Sequence, residues 1–283
     1  MSASSPTNAR FEILAAALLF STGGAAVKLT TFTNWQVAGF RSAIAALVFL
    51  VIVRTTRGFT WRAWLVGLAY GATLVTFVTA NKLTTAANAV FFQAAAPFYL
   101  MLAARWLPGE HADRRDLGYL ALLAIGLVLL FAGEAPPAAT APNPRLGNAI
   151  GAVSGMTWAL TLAGLRWLGR PEAGHGSSAA AATVCGNLVA TAVCLPLALP
   201  AHGPWSDWLV VAYLGCFQVG LAYVLVTRAI GQVRALDASL LLLAEPAFSP
   251  VWAWLVHGER PGLPALAGGV LIVAVTTVRA VRR

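Results

Sequence analysis

Eight stretches of 15 to 34 consecutive residues contain no Asp, Glu, Lys or Arg, and they decide what this chain can become. They are Ile13–Val27, Ala63–Asn81, Leu83–Ala104, Leu117–Gly133, Leu146–Leu165, Ala173–Ser206, Trp208–Thr227 and Pro261–Val278. Two more, Asn34–Val53 and Asp237–His257, are equally apolar but carry Arg41 and Glu245 inside them. A helix rising about 1.5 Å per residue needs roughly 20 residues to cross a hydrocarbon core of about 30 Å. The sequence therefore predicts ten spans, which consume nearly all of the 283 residues. Only 10% of the residues are charged, against about 25% in a soluble domain. Strands of a membrane barrel would alternate polar and apolar residues, and Leu117–Gly133 does not. The expected fold class is an all-α integral membrane protein of ten transmembrane helices, with no room for a motor ATPase or an attached catalytic domain.

The net charge of +9 invites a nucleic-acid reading, but the positions of the basic residues argue against it. Arg10, Arg54, Arg57, Arg62, Arg105, Arg114, Arg115, Arg166, Arg170, Arg228, Arg234, Arg279, Arg282 and Arg283 fall at alternate span ends. Lys82, Arg145 and Arg260 fall on the other side, leaving Lys28 and Arg41 beside or within spans. The positive-inside rule puts the richer side, and both termini, in the cytoplasm. Seven tryptophans near span ends (Trp35, Trp61, Trp64, Trp106, Trp167, Trp205 and Trp208) fit an interfacial belt. The first span has the apolar length of a signal peptide but runs on through Gly23–Val27, so a retained helix is expected. Cys185, Cys194 and Cys216 lie in apolar spans without C-x-x-C spacing and read as buried small residues. No metal ligand set and no cofactor are expected.

The chain also resembles itself. Shifting Ala86–Glu110 by 149 residues onto Ala235–Glu259 aligns Pro97 with Pro246, Asn88 with Asp237, Gly109 with Gly258 and Glu110 with Glu259. Each copy holds five spans, and an odd number forces the second copy to start from the opposite side of the membrane. The predicted organisation is a segment 1–10, a first five-helix repeat 11–133, a linker 134–145 outside the cytoplasm, and an inverted second repeat 146–283. Inverted repeats are the architecture of many secondary transporters, with a site near the midplane reached alternately from each face. Pro97, Pro246 and Pro250 remove backbone donors inside spans, which lipid tolerates only where protein or a wet cavity satisfies the freed groups. They read either as kinks fixed by packing or as hinges. Gly147, Gly151 and Gly155, like Gly67 and Gly71, are spaced for close helix approach.

The order VAGFRSAIAAL in the second span, MTWAL in the sixth and LLAEP followed by GERP near the end resembles the EamA family of the drug/metabolite transporter superfamily. The first span departs from the family, with Ser21-Thr22-Gly23 where a Trp-Gly pair is common. The resemblance implies a bacterial inner-membrane exporter of small metabolites, with amino acids, aromatic and other neutral ones, as the foremost cargo. Amphipathic drugs or other metabolites are the alternative. The lipid bilayer and the small-molecule substrate are the expected partners, and a monomer the expected unit.

Candidate substrate-binding residues follow from depth. Glu245 stands about 12 Å from Asp237 along its helix, a costly place for a carboxylate. It reads as a binder of a substrate ammonium, as a proton carrier, or as a fixture of the Pro246 kink. Arg41, about 9 Å below the opposite face, reads as a carboxylate binder or as a cation held by helix carbonyls. Lys28 reads as an interfacial anchor. Trp158 stands mid-span, where it either stacks on a substrate or packs. Tyr99, Gln93, Asn88, Gln218 and Tyr223 are further mid-span polar or amphipathic groups, each able to bond between helices or to a ligand. An intramembrane enzyme would need a nucleophile and base or metal ligands within the bilayer. All four histidines (His111, His175, His202 and His257) fall in loops or at span ends, and no H-E-x-x-H, G-x-S-x-G or Walker sequence occurs. A channel is less favoured than a carrier, because channels build their rings from oligomers.

Overall fold

A computed structural model describes residues 6–53, 58–103, 116–133, 137–168, 178–229, 241–242 and 244–282. Several residues used above lie outside this set: Asp237, Gly109, Glu110, Trp106, His111, His175, Arg54, Arg57, Arg105, Arg114, Arg115, Arg170, Arg234 and Arg283. The described residues form helices in the order α1 Pro6–Ser21, α2 Gly23–Lys28, α3 Asn34–Val53, α4 Trp61–Leu83, α5 Ala86–Ala94, α6 Ala96–Ala103 and α7 Asp116–Ala132. Next come α8 Pro144–Leu168, α9 Ser178–Ala198, α10 Trp205–Tyr213, a π-helical segment Leu214–Leu221, α11 Ala222–Ala229, α12 Ala244–His257 and α13 Leu263–Arg282.

Five stretches are long and apolar enough to cross a membrane: Asn8–Lys28, Asn34–Val53, Trp61–Leu83, Ala179–Ala198 and Trp205–Ala229. Leu117–Ala132 and Leu263–Val278 are shorter apolar helices. The other three expected spans are also helical but fall short of that measure. The fourth is divided at Ala95, α8 carries Asn148, Ser154, Thr157 and Thr161 along its length, and α12 is described only from Ala244.

Helix starts follow local chemistry. Thr33 and Gln36 form a reciprocal capping box before α3: the Gln36 N–H donates to Thr33 Oγ1 at 3.2 Å, and the Thr33 N–H donates to Gln36 Oε1 at 3.0 Å. Thr60 and Thr85 cap α4 and α5 by accepting from the N–H groups of Ala63 and Asn88. α12 ends in an αL cap. Gly258 takes φ of +65°, its N–H donates to the Trp254 carbonyl, and the Glu259 N–H reaches the Ala253 carbonyl. That turn aims Glu259 back at the bundle, which gives the Gly-Glu pair a structural purpose.

α4 packs against α8 and α9, and α3 against α9 and the π segment. α1 lies on α11 and α12, α5 on α8 and α12, and α7 on α13. The glycines of α8 make its contact with α5: a Cβ on Gly155 would run into the Phe92 carbonyl, and one on Gly151 would lie 2.9 Å from the Phe92 ring. Backbone cannot yield as a side-chain tip can. Gly155→Val is therefore expected to cost roughly 1–3 kcal/mol, read as a lower melting temperature in detergent. Gly118→Ala, with nothing within 4 Å, is expected to leave the melting temperature unchanged or slightly raised.

Candidate functional site

The centre of the bundle is polar at one point. Arg41, only 1% exposed, points from α3 between α4 and the π segment. Its Nη1 donates to Gln218 Oε1 at 3.3 Å and its Nη2 to the Leu74 carbonyl at 3.1 Å, while Nε finds no partner. No carboxylate pairs with it among the described residues. A guanidinium is always charged, so this is a buried cation held by neutral acceptors alone. The π segment makes the contact possible. π turns are wider than α turns and occur often at functional sites, and this one lays Gly215 tightly on α3, beside the Arg41 carbonyl, while presenting Gln218 to the guanidinium.

Tyr70 and Tyr223 lie close to the arginine. Tyr70 of α4 lies 5.1 Å from Tyr223 of α11, ring centre to ring centre, and Tyr223 lies 5.1 Å from Phe20 of α1 in an edge-to-face pair. Trp158 of α8 packs into the same cluster with Tyr70, Leu74 and Val219. The Tyr70 hydroxyl is buried near Tyr223 and Asn187 without reaching hydrogen-bond geometry, and the Asn187 Oδ1 is likewise unpartnered. Tyr223 lies near enough to both Arg41 and Glu245 to feel their charges. Glu245, at the start of α12, makes no hydrogen bond or ion pair among the described residues. It is surrounded by protein yet remains partly exposed, as does Tyr223.

Five of the sequence candidates thus meet around one point: Arg41, Gln218, Tyr223, Trp158 and Glu245. The others do not join them. Gln93 of α5 donates to Ser154 Oγ of α8 at 3.0 Å, and Asn88 donates to Asn148 Oδ1 at 3.1 Å, which also accepts from Thr84 Oγ1 at 2.7 Å. Tyr99 of α6 packs edge-on against Phe98 and over Gly155. These three tie α5 and α6 to α8. α5 and α6 are interrupted at Ala95, two residues before Pro97; Pro246 stands buried in the first turn of α12 and Pro250 inside that helix.

Lys28 is not an interfacial anchor. Its Nζ lies 2.6 Å from Glu259 Oε1, both side chains are 3% exposed, and it also donates to the carbonyls of Thr84 (2.7 Å) and Thr140. Glu259 Oε2 accepts the Ala86 N–H at 2.9 Å. The cluster joins α2, α5, the residue-140 loop and the end of α12. Nearby, Lys82 donates to the Thr30 carbonyl, the Thr31 N–H and hydroxyl donate to Asp207, and His257 Nε2 meets the Ala25 carbonyl at 2.8 Å. This end of the bundle is closed by polar contacts.

Comparison with known proteins places this geometry. Residues 145–278 match the EamA-like transporter family. A protein of Archaeoglobus fulgidus described as an uncharacterized transporter is 27% identical over 202 residues, which is 71% of this chain and 70% of that protein. A solved crystal structure superposes with a TM-score of 0.62 over 99% of both chains at 22% identity, a likeness of fold. With five helices among the described residues long and apolar enough to cross a membrane, the chain has the make-up of a multi-pass membrane protein, and over residues 145–278 it is similar to a transporter family. The stretch similar to that family supplies Trp158, Gln218, Tyr223, Glu245 and Glu259, whereas Phe20, Lys28, Arg41 and Tyr70 precede it. The central cluster is built jointly.

Proposed function

We propose that the protein is a secondary transporter of the bacterial inner membrane that exports amino acids, aromatic and other neutral ones foremost, by alternating access at this central cluster. The observation that carries the reading is a pair of opposite charges without counter-charges. Arg41 and Glu245 are each unpaired with an opposite charge among the described residues, Tyr223 lies near both, and Tyr70, Phe20 and Trp158 pack in the same aromatic cluster. A zwitterion with an apolar side chain answers each part: its carboxylate meets the guanidinium, its ammonium meets the carboxylate, and its side chain meets the rings. Buried charges are expensive in a membrane and are retained where function needs them.

The packing supports two inverted copies, 11–133 and 146–283. The first five apolar segments are α1 with α2, α3, α4, α5 with α6, and α7. The second five are α8, α9, α10 through α11, α12 and α13. Exchanging each segment for the one five places along maps α4 on α8 onto the π segment and α11 on α1, α4 on α9 onto the π segment on α3, and α5 on α8 onto α12 on α1. The pairs α3 with α9, α5 with α12 and α7 with α13 map onto themselves. A pseudo-twofold between halves produces such a closed set of partners. The family match beginning at residue 145 supports the boundary. With both termini in the cytoplasm, the end closed by Lys28 and Glu259 faces the periplasm.

The test is counterflow in proteoliposomes: labelled phenylalanine, tryptophan or leucine outside, the unlabelled amino acid inside. Saturable uphill entry of label is expected, and its absence across an amino-acid panel with folded protein overturns the cargo assignment. Glu245→Gln is expected to cut the initial rate at least about tenfold, a loss of about 1.4 kcal/mol in transition-state stabilisation. If the carboxylate carries a proton, the pH dependence of flux vanishes in that variant; if it only holds the ammonium, the pH dependence stays.

A further inference from the structure

We propose that the interruption in the first segment is a binding site for a desolvated alkali cation, held by Asn81 Oδ1 and Ser249 Oγ. Asn81 of α4 and Ser249 of α12 are both 0% exposed, and neither oxygen has a hydrogen-bond partner. The Asn81 Nδ2 donates to the Phe77 carbonyl at 2.9 Å, which fixes the amide and leaves its oxygen as the free end. Both oxygens face Gly24. A Cβ built there would lie 2.9 Å from Asn81 Oδ1, 3.5 Å from Ser249 Oγ and 2.9 Å from the Ala86 methyl, so the two oxygens converge on the bare backbone of Gly24 beside Ala86. Gly24 lies two residues after Thr22, the turn between α1 and α2.

Buried polar atoms in native proteins are nearly always satisfied, and two orphans facing one point need a shared ligand. Uncharged hard oxygens suit a hard cation. Transporters with broken helices bind coupling ions at such breaks. The charge needed to hold the ion is at hand: Glu245 stands four residues before Ser249, one turn away on the same face of α12, and pairs with nothing among the described residues. The neighbouring cation, Lys28, is already neutralised by Glu259. Because Gly24 and Asn81 belong to the first half and Ser249 to the stretch similar to the EamA-like family, an ion here ties the two together. That occupancy drives cargo movement rests on the proposed transport function; the binding itself does not.

The experiment is equilibrium binding of radiolabelled sodium to the purified full chain in detergent without amino acid, with competition by unlabelled Na+, K+ and choline. Saturable binding of one ion per chain is expected, displaced by Na+ or K+ according to the site's preference and not by choline. Ser249→Ala and Asn81→Ala are each expected to weaken it at least about tenfold, and Ser249→Thr, which keeps the hydroxyl, to retain it. Melting temperatures in choline chloride verify that the variants are folded. Trp252, whose indole donates to Ser21 Oγ at 3.0 Å beside the break, offers a fluorescence readout of the same event. Binding no stronger than choline competition allows, or binding unchanged in both alanine variants, overturns the proposal and assigns the two oxygens to a buried water. Failure of counterflow with sodium binding intact would fell the transport reading alone.

Discussion

Lys28→Ala lowers the stability of the folded protein by about 3–5 kcal/mol, the usual cost of stripping one partner from a buried ion pair. The reason is what stays behind. Glu259 is 3% exposed on its side chain, and after the substitution its carboxylate keeps the Ala86 N–H and loses its cation. The Thr84 and Thr140 carbonyls lose a donor as well. Thermal unfolding in detergent should show a fall on the order of 10 °C. Glu259→Gln is milder, because a neutral amide still accepts from Lys28 and Ala86. The double variant Lys28→Met with Glu259→Leu recovers most of the loss, since an apolar pair of similar volume removes the desolvation penalty of both charges. A double variant as unstable as Lys28→Ala would show that the carbonyl contacts, rather than the ion pair, hold this end closed.

Arg41→Met abolishes transport while leaving stability unchanged or raised. The guanidinium is 1% exposed, has no carboxylate partner among the described residues and leaves Nε unbonded. Its two bonds, to Gln218 and the Leu74 carbonyl, go to neutral acceptors, so a methionine of similar length relieves a buried charge at the cost of those contacts. If Arg41 receives the carboxylate of the cargo, counterflow falls at least about a hundredfold, or about 2.7 kcal/mol, in the range of a lost charge-assisted bond. Arg41→Lys keeps the charge and loses the planar fork, so intermediate transport with a raised half-saturation concentration is expected. A methionine variant that melts well below the parent and still exchanges amino acid would make Arg41 a structural residue.

The sequence made the helices legible because hydrocarbon imposes a length on them. The second apolar run begins at Asn34, and α3 starts at that residue. Arg41 and Glu245 stood out because a charge inside an apolar run has no bland surroundings to hide in. Tyr70 did not: an aromatic between Gly67 and Gly71 reads as packing, and its place near Arg41 depends on how α4 meets α11. Lys28 and Glu259 are 231 residues apart, and each sits near a span end where a solvated charge is the ordinary expectation. Only the αL cap at Gly258 and the packing of α12 on α2 bring them together. The π segment left no mark, because apolar residues continue through Leu214–Leu221 without a change of pattern. Ser21-Thr22-Gly23 was visible as a departure from the family, but not as the point where the first segment breaks.

The packing of α4 on α8 and α9, of α3 on α9 and of α7 on α13 has a consequence for biogenesis. Most of the broad faces of the first five segments find their cover in the last five. A nascent chain stopped at residue 133 would therefore sit in the bilayer with its best surfaces bare to lipid, an unfinished object awaiting its counterpart. Assembly of this protein is an event of the completed polypeptide, and the two halves expressed as separate chains should reach the membrane in stable form only together.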